Sequence, residues 1–203
     1  MGRFKLLLQI TALLGGVVVL AGCTQPGETH MDALEQAQSE VRQGLSDMAP
    51  WKVDSVEAAL ERIAVRFKDL DWLTTDTTLT FSVDDADIVG DWARARRFLK
   101  DGPGRLRQLE RDGALCLAQT QGLLDAIEGG AQVDAQGTPM DEAYYSREVA
   151  RELKVVAGWL AAWEETERLI RLGTELEQAA RPKVDSLIVV QRAAWARQIS
   201  AQP

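Results

Sequence analysis

Apolar residues recur three and four positions apart through most of the chain, the spacing that turns one face of an α-helix toward a core. A first stretch, Met31 to Met48, carries Leu34, Ala37, Val41 and Leu45 and stops before Pro50, which disfavours helix in the residue preceding it. A stronger one, Ser55 to Leu73, places Val56, Leu60, Ile63, Phe67 and Leu70 at intervals of 4, 3, 4 and 3, the seam of an antiparallel bundle or coiled coil. Asp54 before it and Glu57 three residues later predict a capped start. Between Thr74 and Val83 the period changes, with frequent threonine and Leu79, Phe81 and Val83 on alternate positions. No second such run exists to pair with it. The stretch therefore predicts a long loop whose apolar residues tuck against helices.

Helical spacing returns near Asp87 and continues through Trp92, Ala95, Phe98 and Leu99. Asp101-Gly102-Pro103-Gly104 should break or kink that helix, since proline removes a backbone donor and glycine is a poor helix former. Leu106, Leu109, Leu117, Leu124 and Ile127 then mark another, and the three glycines between Glu128 and Gly137 predict a hairpin loop. Thr138, Pro139 and Asp141 read as the opening of the next helix, with a hydroxyl cap, proline in the first position and an acid in the first turn. Its seam is Val149, Leu153, Val156, Leu160 and Trp163, again at 4, 3, 4 and 3. After Trp163 the pattern broadens, and Pro182 marks a stop, a kink or the first turn of a last helix with Val184, Leu187, Ile188 and Trp195. A helix of about 40 residues extends about 60 Å. The expected fold is all-α, an elongated antiparallel bundle of three to four long helices with coiled-coil-like seams, forming a single domain over residues 31–203.

The first residues follow a different pattern. Arg3 and Lys5 precede a run from Leu6 to Leu20 that is apolar apart from Gln9 and Thr11, the length of a secretory signal core and short for a membrane span. The run ends in Leu20-Ala21-Gly22-Cys23, and here the chain resembles the signal of bacterial lipoproteins. That resemblance covers residues 1–23 alone. It implies removal of residues 1–22, transfer of a diacylglyceryl group to the Cys23 thiol and acylation of the new amine. Residues 23–30 then form a lipidated tether, flexible around Pro26 and Gly27. Since stable anchoring takes two acyl chains, a modified Cys23 holds the protein permanently on membrane lipid. Thr24 stands where, in enteric lipoproteins, aspartate favours the inner membrane, so the resemblance points to the outer membrane of the cell envelope.

Charge narrows the partners. The 23 basic and 31 acidic residues give a net charge of −8, and losing Arg3 and Lys5 with the signal leaves 21 against 31, or −10. Nucleic acid is a poor partner for such a surface, because phosphate binding rests on clustered Lys and Arg. With Cys23 lipidated, Cys116 has no disulfide partner, and its neighbours Leu115 and Leu117 place it as a small buried hydrophobe.

Few residues invite chemistry. Asp84, Asp85, Asp87 and Asp91 form the densest acidic cluster, but a calcium loop starting at Asp85 would put Val89 and Arg96 where it needs an oxygen and a bidentate glutamate. Acids at a helix start fit better. The sole histidine, His30, reads as a solvated tether residue with no nucleophile, acid or metal ligand spaced to join it. Glu164 and Glu165 read as a solvated face, Glu164 pairing with Arg168. No cofactor and no metal are expected. Of the tryptophans at 51, 72, 92, 159, 163 and 195, Trp159 and Trp163 share one helix face and are set against core packing as candidates for partner binding. The expectation is a non-enzymatic interaction or scaffolding lipoprotein with an envelope protein partner. A helical ligand-binding or sensing module is the alternative, and an enzyme of unrecognised type the third.

Overall fold

The computed structural model describes residues 25–76 and 78–201; the signal and Cys23 lie outside them. A 3-10 turn, Glu28–His30, leads into α1 (Met31–Met48), α2 (Val53–Thr74), α3 (Val83–Leu99), α4 (Gly102–Glu128) and α5 (Glu142–Ser200). Among the described residues the one extended pairing is an isolated bridge between Val133 and Pro139. The fold is an all-α bundle, as the periodicity predicts.

The five helices make three arms. Leu34 of α1 clusters with Tyr145 and Val149 near the start of α5, and Gly44 meets Trp159. Further along, Arg62 of α2 pairs with Glu177, and Trp72 packs edge-on against Trp195. So α1 and α2 follow one another along α5 and run parallel to it. The chain then turns back: Leu99 at the end of α3 abuts Gly173, Gly102 at the start of α4 faces Ile170, and Leu109 reaches Trp159. Two broken arms thus flank one continuous helix of 59 residues, about 90 Å long at 1.5 Å per residue.

From Tyr145 to Leu187 the buried positions of α5 run Tyr145, Val149, Glu152, Val156, Trp159, Trp163, Thr166, Ile170, Gly173, Glu177, Ala180, Val184 and Leu187, with Ile188 and Gln191 beyond them. As far as Leu187 the spacing alternates 4 and 3 throughout, the heptad pattern that keeps one seam toward its partners. Leu153 and Leu160, expected in the seam, are half-buried beside it. The buried threonines are satisfied locally, Thr166 Oγ1 donating to the Ala162 carbonyl at 2.7 Å and, on α4, Thr120 Oγ1 to that of Cys116 at 2.8 Å.

Glycine in the seam receives bulk from the next arm. The indole of Trp159 lies between α1 and α4, where a Cβ added to Gly44 or Gly113 would come within 2.7 and 2.9 Å of the ring. Its Nε1–H donates to the Leu109 carbonyl at 2.8 Å, so the one polar atom of this buried side chain is paired. Trp92 follows the same rule on α3, fully buried, with Nε1–H donating to the Ile63 carbonyl at 3.3 Å.

Parallel register between α2 and α5 is fixed by charge. Arg62, Arg66 and Asp69 pair with Glu177, Asp185 and Arg192 at 2.9, 2.9 and 2.5 Å. Glu177 is fully enclosed and also accepts from Arg181 at 2.5 Å. Burial pushes its carboxyl up, but the two guanidinium groups outweigh burial and hold it below the ordinary carboxylate range.

Several local expectations change. Helix α2 starts at Val53 with Lys52 in the cap position, so Asp54 sits in the first turn and accepts no cap bond. Helix α3 starts earlier than Asp87: Ser82 Oγ accepts from Asp85 N–H at 3.1 Å while the Asp85 carboxylate accepts from Ser82 N–H at 2.7 Å, a reciprocal cap. Val83 is thereby turned out to solvent, whereas Leu79 and Phe81 do pack against the core. The cap of α5 is Asp141, whose Oδ1 accepts from Tyr144 N–H at 2.8 Å, and Pro139 lies in the bridge before it. Pro182 stays inside α5 on an exposed face. The pairs to Glu177 and Asp185 on either side of it hold the helix across its missing donor, which otherwise costs about 3 kcal/mol.

Candidate functional site

A set of polar contacts between distant residues lies at the basal end, where the chain enters α1 and the α4–α5 loop closes. Gly27 adopts φ +84°, and its missing side chain matters twice, since a Cβ would also fall 2.8 Å from Tyr145 Cγ. This turn aims the Gly27 N–H at Glu142 Oε2, 2.8 Å away. The other carboxylate oxygen of Glu142 meets His30 Nε2 at 3.1 Å and accepts from Thr29 Oγ1 at 3.5 Å. Gln25 Nε2 donates to the Ile127 carbonyl near the end of α4. From Gln25 onward the expected flexible tether is therefore clamped to the bundle, because glycine lets the turn close over the Tyr145 ring and Glu142 supplies acceptors at the start of α5.

His30 is correspondingly no solvated linker residue: its side chain is 25% exposed and also lies 3.2 Å from Ser146 Oγ. Histidine, serine and carboxylate thus meet, but not in the order of a nucleophile relay. Such a relay puts the acid on one ring nitrogen and the hydroxyl on the other. Here both approach Nε2, so they compete for one site, and the arrangement serves as a clamp.

Tyr145, directly beneath this turn, is 1% exposed, and its hydroxyl has no hydrogen-bond partner among the described residues. Burial pushes the phenol up, with Tyr144 adding to the effect. An unmatched buried hydroxyl costs about 1–3 kcal/mol, so Tyr145→Phe should leave stability unchanged or raise it by about 1 kcal/mol. Urea unfolding of the variant checks this, and a loss of stability would show that the hydroxyl is bonded.

The remaining residues singled out by sequence separate. Trp159 and Trp163 are 5% and 6% exposed, inside the seam, and so offer no face to a partner. This corrects their candidacy as binding residues: the heptad that defines their shared face is the one turned inward. Cys116 is buried, and burial, then Asp112 and Glu152, push its thiol up, which favours the inert protonated form. Of the aspartates from Asp84 to Asp91, Asp84 and Asp85 lie in the first turn of α3, and Asp87 and Asp91 lie further along it. Among the described residues no three of His, Cys, Asp and Glu gather as a metal would require. Arg168 pairs with Glu165 at 2.8 Å, not with Glu164.

A concavity that the sequence did not signal opens where α1 breaks from α2. Leu45, Met48, Trp51, Val53, Leu106 and Ala114 line a cleft of about 520 Å³, with Lys52 and Glu110 also on its wall. Its size is within the range of small-molecule sites. Among the described residues no helix is long and apolar enough to cross a membrane. Comparison with protein-family models, curated proteins and solved structures found no match.

Proposed function

We propose that this chain is a bacterial envelope lipoprotein, anchored through Cys23 on membrane lipid, that works by contact as an interaction or scaffolding module and not as an enzyme. The observation that carries the reading is Leu20-Ala21-Gly22-Cys23 behind a basic start and an apolar run. Thr24 in place of aspartate favours the outer membrane, by the same resemblance. The contact reading is supported by shape, since a single 59-residue helix braced by two arms offers a long polar surface. With Trp159 and Trp163 buried, aromatic area for a protein partner is found in the Trp72–Trp195 pair, whose rings lie 4.9 Å apart and whose Trp72 is 45% exposed.

The alternative, a ligand-binding lipoprotein, rests on the cleft between α1, α2 and α4. Crosslinking in intact cells tests the two against each other and against catalysis. The contact reading predicts a protein adduct that weakens in Trp72→Ala. A small molecule retained in the cleft, or turned over with loss of activity on changing one carboxylate and folding intact, would contradict it.

A further inference from the structure

We infer that the bundle stands upright on the lipid surface, its basal end against the headgroups and the free ends of α2 and α5 held far from them. The inference rests on the lipid-anchor reading of Cys23 and extends it from attachment to orientation. Cys23 precedes Gln25 by two residues, a reach of at most about 7 Å even fully extended. Gln25 is not free to wander, because its side chain is bonded to Ile127 and the next turns are bonded to Glu142. Gln25, the first described residue after the anchor, therefore lies at one end of the rod, beside the α4–α5 loop.

That loop is itself held in shape. The Asp134 carboxylate accepts from the N–H groups of Gln136 and Thr138 at 2.9 and 2.8 Å, Met140 N–H donates to the Gln132 carbonyl at 2.9 Å, and Met140 is buried. The basal end thus meets the membrane as a formed surface. Val133, bridged to Pro139 at the base of its turn, is 57% exposed, available to the headgroup boundary.

The flanks give no reason to lie down. On the flanks, exposed Val65 lies on α2, Leu115 on α4 and Val155 far along α5 from the Val189–Val190 pair, while Trp72, Val83 and Ile199 lie toward the distal end; charged residues on exposed faces separate them, so no helix offers the continuous apolar face of one that rests in a lipid interface. The described residues around the basal end are acidic, with Glu28, Asp32, Asp125, Glu128, Asp134, Asp141 and Glu142 against His30 and Arg147. Such an end suits zwitterionic headgroups, and anionic ones repel it. Close approach is imposed by the acyl chains.

Neutron reflectometry of the lipid-bearing protein on a supported phosphatidylethanolamine bilayer reads the height of the protein layer. An upright bundle gives a layer about 90 Å deep, and one lying down gives the width of a three-helix bundle, about 25 Å. Releasing the clamp with Glu142→Ala and Gln25→Ala should lower and broaden the layer while circular dichroism stays unchanged. A thin layer from the wild-type chain, or a clamp variant that stands as tall, overturns the orientation. Mass analysis of the same preparation separates the two readings: a Cys23 without acyl chains overturns the anchor and this orientation together.

Discussion

Trp159→Ala should lower the unfolding free energy by about 3–5 kcal/mol, the cost of emptying a fully enclosed aromatic site. The site has little means of collapsing. Gly44 and Gly113 already bring α1 and α4 against the two edges of the indole, and neither carries a side chain that could move into the space. Trp72→Ala, at the half-exposed distal pair, should cost about 1 kcal/mol or less. Denaturant unfolding of both variants measures the difference. A loss below 1 kcal/mol for Trp159→Ala would mean that the three arms are not joined through this residue.

Removing both arginines from Glu177 should be as damaging. Arg62→Ala with Arg181→Ala leaves a carboxylate fully enclosed and without a cation in contact, which costs about 3–5 kcal/mol at neutral pH. Glu177→Gln should cost less, because the arginine side chains are 37% and 36% exposed and regain water when the carboxylate goes. The pH dependence carries the sign. In the wild type the folded-state carboxyl is held down, so its stabilisation is complete above the unfolded carboxylate range and is lost as pH falls through the lower folded value. In the double variant burial acts alone and raises the carboxyl, so acidification relieves the penalty. The stability gap between the two should therefore narrow as pH is lowered. A gap independent of pH would remove Glu177 from the explanation.

These two sites mark the boundary of what the sequence makes legible. The all-α fold, the span of α1, the break at Gly102-Pro103 and the loop from Glu128 to Gly137 follow from period and from proline and glycine chemistry. The seam of α5 is half legible. Val149, Val156 and Trp163 stand out, but Leu153 and Leu160 look better between them than Glu152 and Trp159, which the structure buries. Beyond Trp163 the seam continues through Thr166, Gly173, Glu177 and Ala180, and it looks lost because polarity and small size hide it. Each of these residues is buried for a reason supplied by another helix: Leu99 fills the space at Gly173, and Arg62 balances Glu177. Pro182 misleads in the same way, since tertiary pairs outweigh its local preference.

The clamp at the basal end is not legible at all. His30 and Glu142 are 112 positions apart, and nothing in the spacing of either anticipates the other. A glycine-containing segment of mixed polarity reads as linker whenever the acceptors that fix it lie elsewhere. Only the topology, which returns α4 to the start of α1, brings them together.

Both the contact reading and the upright orientation depend on what happens at Cys23. The most direct measurement is the mass of the N-terminal peptide of the protein isolated from cell membranes, alongside palmitate labelling of the wild type and of Cys23→Ser. The account predicts a mature chain that begins at Cys23 and carries acyl chains, and a Cys23→Ser precursor that is unlabelled and retains residues 1–22. A wild-type chain that keeps residues 1–22, or begins elsewhere with an unmodified thiol, would contradict it.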